Sequence, residues 1–309
     1  MFPPARLMDE APAGARRTSV AMDTFVTIEI AGHAASADAD AAIDRSYAWF
    51  RDVESCCSRF NPASELSALT RHVGEEVPVS TMLFEALRFA LALAHETAGA
   101  FDPTVGRRME TLGFNREYRT GAVVHTPGHV DEPMSYRDVH LDRGRRTVRL
   151  DRPVVLDLGA VAKGLAIDLA ARELAPFEHY AIDAGGDLYL AGRNPTGAPW
   201  AVGIRDPRVE DGLIEILHVS DRAVCTSGDY ERRRPGHGHH IVDPRTDAVS
   251  DGAVSVTVVG SPAMLSDGLA TAAFVLGPRE GIALLERHGV KGLIVSTALQ
   301  RHETRGGLS

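Results

Sequence analysis

Apolar and polar positions alternate over Thr24-Phe-Val-Thr-Ile-Glu-Ile30, with β-branched residues prominent, and the pattern predicts a strand. Further on the period changes. Ile43, Tyr47, Phe50 and Val53 recur at steps of three and four, which lines one face of a helix over about residues 35–60. Ser64-Glu-Leu-Ser-Ala-Leu starts a short helix. Residues 81–97 form another amphipathic one, ended by Gly99. Residues 115–138 are polar and carry Gly121, Pro127, Gly128 and Pro133, which predicts a long surface loop. Short strands are expected at 139–142, 147–150 and 154–158, then a helix at 160–174 through Ala162, Leu165, Ala166, Leu169 and Leu174. Strands at 180–183 and 187–190 flank Ala184-Gly-Gly186, and strands at 200–204 and 213–219 are expected to continue the same sheet. A strong strand at 254–259, helices at 266–276 and 280–288, and a strand from Gly292 complete the pattern. The first twenty residues, rich in Pro, Ala and Arg, are expected to be a loose, flexible arm, leaving residues 21–309 as one domain. Strands come in runs between helices without strict alternation, so the fold class is α+β.

Composition narrows the function. Of 309 residues, 44% are hydrophobic and 24% charged, so the chain has ample material for a core. The formal net charge is −9. That argues against nucleic acid or an anionic membrane surface as partner, because both attract basic patches. A bound nucleotide stays possible, since local groups and a metal can hold phosphates against the global sign. The three cysteines, Cys56, Cys57 and Cys225, make no disulfide framework and read as small buried thiols. The first 25 residues hold no signal-peptide core, no anchoring cysteine follows a short apolar stretch, and no window approaches a bilayer span. The chain as written therefore reads as cytoplasmic, and as exported if its start is truncated.

Four islands of Gly, Asp, Thr and His can carry chemistry. In Thr97-Ala-Gly-Ala-Phe-Asp-Pro-Thr-Val-Gly106, Asp102 sits in a tight turn at a helix end; alone, this reads as a cap and an Asp-Pro turn. Leu156-Asp-Leu-Gly-Ala-Val-Ala-Lys-Gly164 enters a helix through small residues, which suits phosphate oxygens at free N–H groups. Lys163 there opposes the helix dipole, so an anion nearby would explain it. The bland alternative, Asp157 as cap and Lys163 in solvent, is equally compatible with the pattern. The third island runs from Cys225 to Thr246 and contains His237, His239 and His240. Zinc would need ligands the sequence does not supply, so one histidine, best His240 beside the expected strand at Ile241-Val242, reads as a proton carrier. In Ser266-Asp-Gly-Leu-Ala-Thr-Ala, Asp267 and Thr271 share a helical face and offer hard oxygen donors for Mg²⁺, although a helix cap would use the same residues.

In this order the islands resemble the ApbE family of FAD:protein FMN transferases, from about Met22 to His288. The stretches that carry the resemblance are Met22-Asp-Thr-Phe, Ser58-Arg-Phe-Asn-Pro-Ala-Ser-Glu-Leu-Ser, Gly99-Ala-Phe-Asp-Pro-Thr-Val-Gly, Asp157-Leu-Gly-Ala-Val-Ala-Lys-Gly, Asp183-Ala-Gly-Gly-Asp, Thr226-Ser-Gly-Asp-Tyr, His240-Ile-Val-Asp-Pro-Arg-Thr and Asp267-Gly-Leu-Ala-Thr-Ala. The chain departs from the family at Asp247, where Gly is usual, and at Thr111 before Leu-Gly-Phe, where many relatives carry Trp. The resemblance implies two interleaved α/β portions, related to the T-fold, with FAD in the cleft between them. It implies Mg²⁺-dependent transfer of FMN from FAD to a Thr or Ser hydroxyl of a target flavoprotein, with release of AMP. By motif position, Asp267, Thr271 and the main-chain oxygen of Ala160 would hold Mg²⁺. FAD would touch Met22, Phe60, Ala100, Phe101, Asp102, Asp157 and Lys163, and His240 would assist the transfer. Two other readings compete. One uses water as acceptor, an FAD pyrophosphatase; the other is a flavin-binding protein without activity, which the presence of His240, Asp267 and Thr271 disfavours.

Overall fold

The computed structural model describes residues 5–8, 14–32, 36–116, 121–124, 134–231, 233–234 and 238–308. Its centre is an eight-stranded sheet. We number the strands β1 (Gly14–Ala21), β2 (Thr24–Ala31), β3 (Tyr180–Ala184), β4 (Asp187–Ala191), β5 (Arg222–Gly228), β6 (Ser255–Gly260), β7 (Lys291–Val295) and β8 (Arg301–Glu303). They lie side by side in chain order and every pair is antiparallel. A meander of this kind puts the connections β1–β2, β3–β4, β5–β6 and β7–β8 at one end of the sheet. Three of those four connections carry stretches named above for the family resemblance: Met22-Asp23, Gly185-Gly186 and the segment from Asp229 through His240.

Four longer helices accompany the sheet: α1 (Ala37–Cys57), α2 (Thr81–Glu96), α3 (Gly159–Leu174) and α4 (Ala263–Arg287). α1 packs on α3 and α3 on α4, and α4 lies on β5, β6 and β7. Ile43, Tyr47, Phe50 and Val53 are all buried, as their spacing predicts. Ser36 caps α1 by accepting from Ala39 N at 3.2 Å. α2 ends through Ala98 in the left-handed region, with Gly99 N donating to Ala94 O at 2.9 Å, which satisfies a carbonyl of the last turn. α4 is interrupted at Gly277, whose φ of 73° leaves the helical region, next to Pro278. The two helices expected there are thus two segments meeting at a break.

The sheet is covered on both faces. Ala223, Cys225, Val256, Val258 and Ile294 join the helices in one core. Val224, Val259, Leu293 and Val295 join Trp200, Val202, Ile204, Leu217 and Val219 in a second. That second layer is a three-stranded sheet of Ala5–Leu7, Trp200–Arg205 and Leu213–Val219. The expectation that 200–204 and 213–219 continue the main sheet is therefore corrected: they belong to a separate layer packed on one of its faces. Double burial explains why all of Ser255–Gly260 is buried, so polar and apolar residues need not alternate there.

The loose arm expected at 1–20 is also corrected where the structure describes it. Gly14–Ala21 is the edge strand of the main sheet, and Ala5–Leu7 pairs with Trp200–Arg205. Main-chain pairing needs no hydrophobic run, so the Arg-rich composition misled. The strand expected at 154–158 is reduced to a single bridge, Val105 to Val155. Most of the loop expected at 115–138 lies outside the described residues; within it Tyr136–Asp138 is a 3₁₀ turn. α4 is long and apolar enough to cross a membrane, contrary to the sequence reading, but most of its apolar window is buried in the fold, which uses it as a core helix.

α3 and α4 touch at Gly164. A Cβ on Gly164 would lie 2.5 Å from Met264 Cα and 2.6 Å from Ala263 O, main-chain atoms that cannot swing aside. Asp168 further ties the pair, accepting from Ala263 N at 2.7 Å and Met264 N at 2.9 Å. Gly164→Ala is expected to force the helices apart and destabilise the protein by roughly 1–3 kcal/mol. A urea unfolding midpoint identical to wild type would contradict this packing.

Candidate active site at the turn end of the sheet

Lys163 lies in the second turn of α3 and is partly buried. Its ammonium pairs with Asp187 at the start of β4 and stands 3.7 Å from Asp267 Oδ1 on α4. The anion that the dipole argument demanded is thus supplied by the protein. Lys163 is not a solvated surface lysine. Asp187 Oδ1 also accepts from Thr226 N at 3.1 Å, which joins β4 to β5. Asp267 Oδ2 accepts from Gly164 N at 3.1 Å. Burial pushes the Asp267 carboxyl up, while the Lys163 ammonium and the Gly164 N–H pull it back. A unit-charge pair at such a distance gains about 4–5 kcal/mol at an effective dielectric near 20. Desolvating the two ions costs several kcal/mol in return. The cluster therefore contributes little net stability.

Thr271 is one turn beyond Asp267, and its hydroxyl lies 3.1 Å from Ser227 Oγ. Asp267, Thr271 and Ser227 bring hard oxygen donors to one place, where Thr271 and Ser227 are in hydrogen-bond contact. Among the described residues no group of three or more His, Cys, Asp or Glu gathers that could hold a metal. A cation here would have one carboxylate, a hydroxyl, a carbonyl and otherwise phosphate or water oxygens. That donor set fits Mg²⁺, which is commonly held by one or two carboxylates and its substrate's phosphates.

The head of α3 forms a second corner. Asp157 Oδ1 accepts from Gly159 N at 2.8 Å in a local turn, but the cap position is Leu158 and carries no side-chain cap bond, so Asp157 braces the approach to the helix without capping it. Its other oxygen takes Nε of Arg59. Arg59 lies over the Phe60 ring, 4.1 Å from the centroid, and donates through Nη2 to Phe114 O. The Phe114 ring meets His240 edge-on at 6.4 Å. His240 itself is half-buried. Its neighbour His239 is buried, accepts from Ile241 N at Nδ1 (3.3 Å) and bonds Ser250 O through Nε2 (3.0 Å). These bonds, more than the two-residue strand Val242–Asp243, fix the backbone around His240. His237 lies outside the described residues.

The remaining sequence candidates are placed differently. Met22 occupies the β1–β2 turn with Asp23, both at positive φ, and its N–H donates to Glu54. Ala100 and Phe101 are buried in the main core. Asp102 braces its own turn: it accepts from Thr104 N at 2.8 Å, Thr104 Oγ1 at 2.7 Å and Tyr136 N at 2.9 Å. All three cysteines are free and buried. Arg59, Phe114, Asp187 and Ser227 were missed as site residues. Asp187 had a signal, a second carboxylate directly after the Gly185-Gly186 turn. Arg59 and Phe114 had none, since their roles come from contacts distant in sequence.

Asp183, at the other side of that turn, accepts from Gly186 N at 2.9 Å, and burial pushes its carboxyl up to about 6. A carboxyl raised in the folded state contributes stability at pH below its ordinary value, and this is lost as pH rises through about 6. Asp183→Asn keeps an acceptor for Gly186 and removes the titration. Relative to wild type, the variant is expected to gain about 1–3 kcal/mol between pH 4.5 and 7.5. Melting curves at the two pH values check this; a constant difference would contradict it.

A model of the ApbE family matches residues 22–294. Over 258 residues the chain is 33% identical to an FAD:protein FMN transferase of Vibrio cholerae, covering 79% of this chain and 76% of that protein. Over 307 residues it is 31% identical to an FAD:protein FMN transferase of Treponema pallidum, covering 90% and 83%. The crystal structure of the ApbE protein from Thermotoga maritima is similar with a TM-score of 0.83 at 30% identity, covering 94% of this chain and 97% of that one. The flavin transferase ApbE from Vibrio cholerae gives 0.81 at 29% identity over the same shares.

Proposed function

The chain belongs to the ApbE family, and from that premise we infer that it is an FAD:protein FMN transferase. The observation that carries the reading is the seating of Asp267. Gly164 N–H and the Lys163 ammonium hold a buried carboxylate where α3, α4 and β4 meet, with the hydroxyl of Thr271 one turn on. Such an assembly suits phosphoryl transfer, which needs charge neutralisation and alignment more than covalent help.

The substrates are FAD and a target flavoprotein that presents a Thr or Ser hydroxyl. Asp267, Thr271 and the main-chain oxygen of Ala160 would hold Mg²⁺. When bound, Mg²⁺ supplies neutralisation of charge on the pyrophosphate. Met22, Phe60, Ala100, Phe101, Asp102, Asp157 and Lys163 would line the FAD site. Ala100, Phe101 and Asp102 are buried as whole residues, so they would shape the wall of that site from behind. His240 receives the proton of the incoming hydroxyl. The hydroxyl oxygen forms a bond to the FMN phosphorus, the bond to the bridging oxygen breaks, and AMP leaves with that oxygen. Water as acceptor would give FMN and AMP instead. A base at His240 would serve water as well as a hydroxyl, so the preference for transfer to protein rests on the likeness to FAD:protein FMN transferases and is decided by the assay below.

Incubating the protein with FAD, Mg²⁺ and a candidate flavoprotein subunit tests it. Covalent flavin fluorescence on the subunit in a denaturing gel, with AMP in equal amount, is expected. AMP release that does not depend on the subunit would favour the hydrolase.

His240→Ala separates binding from proton transfer. The variant is expected to bind FAD as wild type does and to lose about 10²-fold or more in turnover. Equal losses in affinity and turnover would make His240 a binding residue.

A further inference from the structure

The Arg59 side chain is a buried guanidinium with 6% of its surface exposed. Nε donates to Asp157 at the head of α3, and Nη2 donates to the main-chain oxygen of Phe114. Its plane lies over the ring of Phe60. Nη1 is buried without a hydrogen-bond partner among the described residues. Four segments distant in sequence therefore converge on one side chain: residues 58–60 after α1, the turn at Phe114, the head of α3 and, through the Phe114 ring, His240. A planar fork can bond a carboxylate and a carbonyl while stacking on an aromatic face; a lysine cannot do all three. Stability alone does not account for the residue. A buried ion pair is on average no better than apolar packing, and an unsatisfied buried donor is a further cost.

We propose that Arg59 is a positioning residue of the transferase site. It keeps Phe60 and Asp157, on the nucleotide side, in register with Phe114 and hence with His240, on the proton side. The proposal rests on the transferase reading for the roles of Phe60, Asp157 and His240.

Arg59→Lys retains the charge and loses the fork. Arg59→Gln retains one donor and leaves no buried cation. FAD affinity is measured by flavin fluorescence, turnover by AMP release, and folding by melting temperature. Both variants are expected to fold, to bind FAD at least about fivefold more weakly and to turn over about tenfold more slowly, the scale of a lost alignment. Combining Arg59→Gln with Asp157→Asn is expected to weaken FAD binding by less than the product of the single effects, because the two residues act as one unit. A merely structural arginine would lower the melting temperature and leave affinity and turnover of the folded protein at wild-type values. That result would overturn the proposal, as would failure of both variants to fold or full multiplication of the single effects. Failure of the transferase reading would appear in the wild type itself, as absence of FAD binding or transfer, and is thereby distinguishable.

Discussion

The site's architecture depends on one partly buried cation. Lys163 joins α3, β4 and α4 by meeting Asp187 and Asp267, two buried carboxylates for which a charge partner offsets the cost of leaving water. The energetic balance of such a cluster is close to even, so its value lies in fixing charged groups in place. Gly164 makes it possible. Without a side chain at that position α3 approaches the main chain of α4, and the Gly164 N–H reaches Asp267.

Topology then determines what surrounds the cluster. A strictly sequential antiparallel sheet gathers alternate connections at one end. Met22-Asp23, Gly185-Gly186 and the Thr226-Ser227-Gly228 strand end are neighbours there, although more than 200 residues separate the first from the last. The sheet is sandwiched between helices and a three-stranded layer, so these turns stand on a rigid base. That is the arrangement expected when adaptable loops carry chemistry on a fixed scaffold.

Much of this was legible in the sequence because local rules decide it. The helix with Ile43, Tyr47, Phe50 and Val53 follows from its spacing. The break at Gly277 follows from Gly-Pro, and the β3–β4 hairpin from two glycines between apolar runs. The islands around Lys163 and Asp267 were recognisable as motifs. What failed was decided by partners. β1 is a strand because β2 offers an edge, not because Arg16 and Arg17 favour extension. No strand was expected at β5, since nothing local says that Val224 and Cys225 are covered from opposite sides. Lys163 could not be told from a solvated lysine until Asp187 was seen beside it. Arg59 was invisible for the same reason: its importance is a property of four segments, not of one.

On the proposed reading, the buried carboxylate of Asp267, held by Lys163 and Gly164, would be the charged ligand of a divalent cation. Measuring AMP release from FAD against Mg²⁺ concentration for wild type and Asp267→Asn tests it most directly. The substitution preserves volume and the acceptor for Gly164 N–H but removes the charge. Release that collapses at every Mg²⁺ concentration while the melting temperature stays near wild type is the predicted result. Wild-type release by Asp267→Asn at low Mg²⁺ would contradict the account.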